Sequence, residues 1–371
     1  MEILNFIIPF IILLTVVVFV HEYGHYYMAK KYGVGITDFS IGFGKEIFGF
    51  KDKLGTRWKF CAIPLGGYVK FFGDRNVFSQ TEQEELLKKY KKEDQKKLFV
   101  TKPLYQRSLI VAAGPIANFL LAILIFTFIY IFSGKDFTPA YINEVQKDGP
   151  AYSAGIKSGD MIISINDNKI TSVLDVSTFI NTSSKENIIV RVLRNEMELD
   201  FKLSPKMIES KDSLGNKINK KIIGINVTPP KNELNKKKLG PATAIFYAIK
   251  ETWFVTRSSL EFVISLFKGQ GDTNQLGGPI KIAKITGQVA QLGVIAFLSI
   301  TAYISISLGF INLFPIPMLD GGHLMFYAFE KVLGRPLTQK TQESFFRIGL
   351  FLLIFLMLFT TINDLKDIGL F

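Results

Sequence analysis

The hydrophobic residues of this 371-residue chain are concentrated in four long runs, separated by stretches rich in polar residues and glycine. Residues 3–20 are apolar almost without interruption, and the helix that they predict can continue to about Lys31. Further runs cover residues 108–132, about 289–314 and about 345–362. Each run has close to the length that a helix needs to cross the hydrocarbon of a bilayer. The pattern therefore predicts an α-helical membrane protein with about four transmembrane helices.

The segment between the first two runs begins with an alternating pattern that glycines interrupt. Residues 34–73 predict a membrane-associated β-hairpin that turns at Gly66 and Gly67. The stretch at 79–97 is mostly charged. We expect it to form a solvated segment without chemistry of its own.

A polar insert of about a hundred residues separates the second and third runs. Its short strand patterns and turns predict an α+β fold. After a Lys- and Pro-rich linker at 231–241, residues 242–267 are apolar but interrupted by charges. We therefore expect them to form an amphipathic helix on the membrane surface. The expected organisation is an N-terminal membrane half (1–135), the insert (136–230), the linker with its surface helix (231–288) and a C-terminal membrane half (289–371).

Composition and charge agree with a membrane protein that carries a soluble insert. Hydrophobic residues make up 48% of the chain and the mean hydropathy is +0.25, more than a soluble enzyme of this size needs. The net charge of +12 does not indicate nucleic-acid binding, because the basic residues flank the apolar runs instead of alternating with aromatics on one element. Anionic membrane lipid is the partner that this distribution favours. The single cysteine, Cys61, excludes an internal disulfide.

An H-E-x-x-H motif, formed by His21, Glu22 and His25, ends the first apolar run. On a helix, positions i and i+4 bring both imidazoles to one face, where they can share a zinc ion, and the glutamate can act as general base. With 3 histidines and 32 acidic residues in 371 positions, chance would produce the motif only roughly 0.002 times. Ionisable residues on a transmembrane helix also indicate a functional site. The motif therefore predicts a zinc site within the membrane.

A catalytic zinc site needs a third protein ligand. Two candidates follow the third apolar run: Asp320, and His323, which is the one remaining histidine. Residue chemistry alone does not distinguish between them. Pro315 and Pro317 nearby could simply end a helix, but irregular backbone at membrane depth occurs only inside protein or beside a water-filled cavity.

HEYGH in the first run and NLFPIPMLDGG after the third together resemble the site-2 protease family of intramembrane zinc metalloproteases, in particular its bacterial regulator-of-sigma-E branch. The resemblance covers nearly the whole chain. It implies a single Zn²⁺ whose ligands are His21, His25 and Asp320. It also implies that Glu22 is the catalytic base, that Asn312 holds substrate near the scissile bond, and that His323 is not a ligand.

Two further segments resemble features of this family. The sequence GPIAN at 114–118 resembles a GxxxN motif, which implies that Gly114 and Asn118 allow close helix packing and touch substrate. A small-residue helix contact explains Gly114 equally well. The hairpin residues Gly67 and Tyr68 resemble a re-entrant β-loop that binds unwound substrate by strand addition, although an ordinary exposed hairpin is an equal alternative.

The insert contains a segment, residues 148–166, that resembles a protease-associated PDZ domain. The resemblance implies a helix, a turn at Gly159, and a strand that returns to a second turn at Asp167. PDZ domains bind an extended peptide by adding it as a strand, so a peptide chain end is the implied ligand. The insert has room for one such domain.

The charge pattern predicts the orientation of the chain in the membrane. The basic residues next to the first two runs, expected on the inside, are Lys30, Lys31, Lys102 and Arg107. If the first run enters from outside and the insert lies outside, the zinc ligands meet near the cytoplasmic face. We therefore expect a multi-pass protein of the bacterial inner membrane with a periplasmic PDZ domain.

The expected function is that of a zinc metalloendopeptidase that performs regulated intramembrane proteolysis. Its implied partners are single-pass membrane proteins, such as anti-sigma-factor-like proteins or remnant signal peptides. Two alternatives are a non-catalytic PDZ scaffold with a retained metal site and a transporter. The intact motif argues against the first, and the clustering of ionisable residues in two motifs argues against the second.

Overall fold

The computed structural model describes residues 2–73, 89–166, 168–183, 185–211, 217–227, 235–269, 273 and 276–367. Asp167, residues 79–88 of the charged segment and residues 231–234 of the linker lie outside the described part. The described chain divides into two compact units. One comprises residues up to Ile125 together with Gly278–Leu365, and the other comprises Phe126–Gly277 together with the residues from Lys366 onward.

The helices carry most of the apolar sequence. In chain order they are α1 (Glu2–Lys31), α2 (Lys92–Gln95), α3 (Leu104–Phe132), α4 (Pro150–Ala154), α5 (Val173–Thr182), α6 (Pro241–Phe267), α7 (Pro279–Gln291), α8 (Val294–Asn312), α9 (Asp320–Leu333) and α10 (Gln339–Asp367). Among the described residues, α1, α3, α8 and α10 are long and apolar enough to cross a membrane. This confirms the prediction of four such helices.

The third span begins later than the sequence pattern predicts. Residues 289–314 were expected to form one helix, but α7 ends at Gln291 and α8 starts at Val294. Between them Gly293 has φ +108°, a left-handed conformation that favours glycine and breaks the helix. Helix α7 packs closely on α1, since a β-carbon at Gly287 would collide with Phe6. The break thus separates a helix packed on α1 from the span itself.

The hairpin consists of β1 (Ile36–Lys51) and β2 (Arg57–Phe71), which pair with several irregularities in register. The predicted turn at Gly66 and Gly67 is wrong, because both glycines lie inside β2, where Gly67 pairs with Ile41. The turn occupies residues 52–56 instead. There Asp52 Oδ1 accepts the backbone N–H groups of Leu54 and Thr56 at 2.9 Å each, and this side-chain-to-backbone bonding makes the turn.

Asp52 also fastens the hairpin to α1. Its Oδ2 accepts hydrogen bonds from the Tyr26 hydroxyl at 3.2 Å and from Trp58 Nε1 at 3.1 Å. The rings of Phe39 and Trp58 stack with centroids 4.3 Å apart, and Phe39 is completely buried. These contacts hold the end of β2 alongside α1, so that Gly67 lies against the side chain of Glu22.

The second unit contains an antiparallel sheet covered by two short helices. Its strands, in chain order, are β3 (Lys135–Asp136), β4 (Ala140–Val145), β5 (Met161–Ile165), β6 (Asn168–Lys169), β7 (Ile188–Arg194), β8 (Met197–Leu203), β9 (Lys206–Lys211), β10 (Lys217–Ile222), β11 (Ile225–Val227) and β12 (Lys236–Lys237). The main sheet has the order β11-β4-β5-β7-β8, with β6 paired to β5. Buried aliphatic residues such as Ile142, Ile162 and Val190 form its core.

A buried ion pair supports this sheet. Asp160 is 1% exposed, and both of its carboxylate oxygens accept hydrogen bonds from Arg194 at 2.7 Å. Burial by itself raises the pKa of Asp160, but the hydrogen bonds from Arg194 and from the backbone N–H of Lys157 outweigh it and lower the pKa below its ordinary value. The folded unit therefore favours the ionised form of Asp160, and the ion pair with Arg194 stabilises the fold.

Candidate active site

The histidines of the HEYGH motif lie on one face of α1, as the i, i+4 spacing requires. Their Nε2 atoms are 3.2 Å apart, and both side chains are buried. Glu22 lies between them in the sequence. Helix α1 therefore supplies two converging imidazole nitrogens.

Asp320 reaches the same point from the first residue of α9. Its Oδ2 lies 3.2 Å from Nε2 of His21 and 3.5 Å from Nε2 of His25. Helix α9 can begin here because the preceding turn packs tightly against two glycines. A β-carbon at Gly321 or Gly322 would collide with backbone carbonyls of residues 313–316.

These three atoms are the one group of possible metal ligands found among the described His, Cys, Asp and Glu residues. In a tetrahedral site with bonds of about 2.1 Å, neighbouring ligand atoms lie about 3.4 Å apart. The observed separations of 3.2, 3.2 and 3.5 Å fit this requirement. Asp320 Oδ2 is also buried and forms no hydrogen bond with a described residue. Two imidazoles and one carboxylate are a donor set that suits zinc.

Helix α3 contacts the side of each imidazole that faces away from this cluster. Nδ1 of His25 lies 2.9 Å from the carbonyl oxygen of Ile110, so it donates there and leaves Nε2 without a proton. Nδ1 of His21 lies 3.2 Å from the side-chain amide of Asn118. Gly114 lies between these two contacts, and a β-carbon there would collide with both histidine rings.

A cavity of about 380 Å³ opens beside the cluster. The sequence-predicted site residues that line it are His21, Glu22, His25, Gly67, Tyr68, Asn312 and Asp320. Gly67 packs against the side chain of Glu22, and Val69 lines the cavity as well, so the end of β2 borders the cavity next to the candidate base. His323 also lines the cavity but is not part of the three-atom cluster.

Gly114 and Asn118, which the sequence resemblance assigns to substrate contact, lie next to the histidines. Neither lines the cavity, and Asn118 is 0% exposed. Asn118 contacts Nδ1 of His21, and Gly114 packs against Nε2 and Cε1 of the His25 ring. The substrate contact that the resemblance implies for these two residues stays a prediction, and the cavity lining does not include them.

Sequence reasoning also missed an ion pair between α3 and α9. The guanidinium of Arg107 forms two hydrogen bonds with the carboxylate of Glu330, at 3.1 and 2.5 Å. The two residues are 223 positions apart. The sequence carries no local signal for this pair, and Arg107 was assigned only to membrane orientation.

Comparison with known proteins identifies the family. Residues 9–356 match the profile of Peptidase family M50, the site-2 protease family. The chain belongs to this family. This agrees with the resemblance of the two sequence motifs.

Relatives extend over nearly the full length of the chain. A protein of Agrobacterium fabrum named as a zinc metalloprotease is 41% identical over 364 residues, covering 98% of this chain and 96% of its own length. One of Mesorhizobium japonicum with the same description is 40% identical over 370 residues, covering 98% and 99%. The metalloprotease MmpA of Caulobacter vibrioides is 34% identical over 386 residues, covering 98% and 96%. The M50 chain is accordingly a zinc metalloprotease and, with its four apolar helices, an integral membrane protein.

Proposed function

We propose that this M50 protease cleaves the transmembrane segments of other membrane proteins. The observation that carries the proposal is the convergence of His21, His25 and Asp320 at the ends of apolar elements. His21 lies about 29 Å along α1 from its first residue, directly after the apolar run of residues 3–20. Asp320 follows the third span by eight residues. The cavity beside these residues would receive a peptide that lies within the bilayer.

We assign the ligands as His21, His25 and Asp320, and Glu22 as the general base. Zinc bound by these residues supplies Lewis acidity toward the scissile carbonyl. Glu22 lines the same cavity but is not part of the ligand cluster, so it can take a proton from the attacking water and pass it to the leaving amine. The close approach of Gly67 to the Glu22 side chain holds the carboxylate beside that path.

The substrate is best bound as an extended strand along the end of β2. A peptide bond inside a helix is shielded by its own backbone, so the substrate has to unwind before cleavage. Gly67 and Tyr68 line the cavity next to Glu22, and Asn312 lines it as well. Strand addition at Gly67–Val69, with Asn312 as a side-chain partner, would hold the scissile bond at the base.

The insert and helix α6 have supporting roles in this proposal. The sheet order and the short helices of the insert are compatible with a PDZ domain that binds a peptide chain end. An exposed apolar stripe on α6, formed by Phe246, Ile249, Trp253, Leu260 and Phe267, favours contact with membrane lipid. We propose a periplasmic insert and a catalytic centre near the cytoplasmic face of a bacterial inner membrane. Proteins of the anti-sigma-factor type and remnant signal peptides are the proposed substrates.

The decisive experiment is cleavage of synthetic transmembrane peptides by the detergent-purified protein. Wild type should cleave inside the apolar segment, and Glu22→Gln should cleave nothing while it retains the zinc content of wild type. Cleavage confined to soluble peptides would contradict the membrane assignment. Loss of zinc together with activity in Glu22→Gln would show that Glu22 is a ligand instead of the base.

A further inference from the structure

Asn118 is fixed between two helices behind the metal cluster. Its backbone carbonyl accepts the hydroxyl of Ser305 on α8 at 2.8 Å, and its side chain is fully buried. Gly309 packs against its β-carbon. The side-chain amide lies 3.2 Å from Nδ1 of His21. Asn118 therefore touches the candidate ligand His21 and does not reach the cavity.

We propose that Asn118 is a positioning residue that holds His21 in the tautomer able to bind zinc. The inference rests on the proposed ligand set. The hydrogen bond concerned joins Asn118 to Nδ1 of His21, on the side of the ring that faces away from the metal cluster, and the family motif does not assign it. The role replaces the substrate contact that the GxxxN resemblance implies for this residue.

The directions of the two ring nitrogens of His21 determine which tautomer can bind zinc. Nε2 of His21 faces Asp320 Oδ2 and His25 Nε2, so Nε2 must present its lone pair when zinc is bound. A neutral imidazole then carries its proton on Nδ1, and this N–H needs an acceptor. The amide of Asn118 is the hydrogen-bond partner that the described structure gives to Nδ1.

Asn118 has an acceptor available for that proton. Its Oδ1 is buried and forms no hydrogen bond with a described residue. A half-turn of the amide exchanges Oδ1 with Nδ2, which occupy nearly the same volume. In the zinc-bound protein we therefore expect Oδ1 to face Nδ1 of His21 and to accept its proton.

His25 shows the same arrangement with a backbone group. Its Nδ1 donates to the carbonyl oxygen of Ile110, which lies eight residues before Asn118 on α3. One helix thus supplies the outer acceptor for both histidines, once from the main chain and once from a side chain. Such outer hydrogen bonds fix ring orientation, and their loss typically weakens metal binding about 10–100-fold.

Zinc dissociation constants measured by chelator competition in detergent test the proposal. Asn118→Leu keeps the side-chain volume but has no acceptor, so we expect about 10–100-fold weaker zinc binding. Asn118→Asp keeps an acceptor at the same position and should remain within about fivefold of wild type. The matched control is Asn312→Leu, an amide that lines the cavity, which should raise KM for a peptide substrate and leave zinc affinity unchanged.

Three outcomes would overturn the inference. Wild-type zinc affinity in Asn118→Leu with a raised KM would make Asn118 a substrate contact. Equal loss of zinc affinity in the Leu and Asp variants would reduce its role to packing. A proton on Nε2 of His21 in the zinc-loaded protein, observed by ¹⁵N NMR of labelled histidines, would exclude the tautomer directly. Full zinc retention in Asp320→Asn would instead refute the ligand set, independently of Asn118.

Discussion

The ion pair between Arg107 and Glu330 should hold Asp320 at the histidines. Arg107 lies in the first turn of α3, the helix that contacts both imidazoles. Glu330 lies on α9, ten residues or about 15 Å beyond Asp320. The guanidinium is also 5.1 Å from the ring centroid of Tyr327, on the same helix. The ion pair therefore connects α9, which begins with Asp320, to α3, which contacts His21 and His25.

The burial of this ion pair determines how much stability its removal should cost. The side chains of Arg107 and Glu330 are 15% and 18% exposed. Removing one partner of a fully buried pair costs about 3–5 kcal/mol, whereas an exposed pair is worth less than about 1 kcal/mol. For Glu330→Gln we expect a loss of about 2 kcal/mol in the free energy of unfolding. Since about 1.4 kcal/mol is tenfold in an equilibrium constant, zinc binding should weaken by at most about thirtyfold.

The assay is a double-mutant cycle with Arg107→Gln and Glu330→Gln, read out by denaturant unfolding in detergent and by zinc affinity. We expect a coupling energy above about 1 kcal/mol. Glu261→Gln, which breaks the exposed pair between Arg257 and Glu261 on α6, is the matched control and should change stability by less than about 0.5 kcal/mol. If the two substitutions are additive within about 0.5 kcal/mol and zinc affinity is unchanged, the pair does not hold α9 and the argument fails.

Three further predictions follow from the structure. Gly114→Ala should lower zinc content to near zero, because the new methyl group displaces the ring of His25; full metal content by elemental analysis would contradict the packing. Deletion of about residues 138–229 should preserve cleavage of a short transmembrane peptide, and loss of turnover with zinc retained would show that the insert takes part in the chemistry. The depressed pKa of Asp160 stabilises the insert above the unfolded pKa of about 4, and this contribution is lost as the pH falls through the lower folded pKa. Limited proteolysis should therefore show increasing cleavage of the insert at acid pH, and Asp160→Asn should be sensitive at pH 7 already.

The sequence was sufficient where the signal is local. The i, i+4 spacing of His21 and His25 determines which face of α1 they share, and four apolar runs are long enough to be recognised one by one. Asp320 is 299 positions from His21, and spacing cannot choose between it and His323. Only the resemblance to a family selected Asp320, which the structure brings within 3.5 Å of both histidines.

The sequence misled where tertiary contacts decide the local structure. The Gly66-Gly67 pair looks like a turn, yet Asp52 makes the turn by bonding its own backbone and by anchoring to Tyr26. Gly66 and Gly67 instead allow β2 to pack closely against neighbouring groups. A β-carbon at Gly66 would collide with the ring of Phe43. A glycine pair in a sequence pattern predicts a turn because glycine adopts conformations that turns need. The pattern does not show that another side chain occupies the space where a β-carbon would lie.

The zinc content and peptidase activity of Asp320→Asn and His323→Ala test the central claim most directly. Asp320 Oδ2 belongs to the three-atom cluster, whereas His323 lines the cavity without joining it. We predict that Asp320→Asn loses most of its zinc and all detectable cleavage of a transmembrane peptide. His323→Ala should keep both, apart from a small loss of stability where its ring packs on Phe346. Zinc retained in Asp320→Asn and lost in His323→Ala would contradict the proposed catalytic centre.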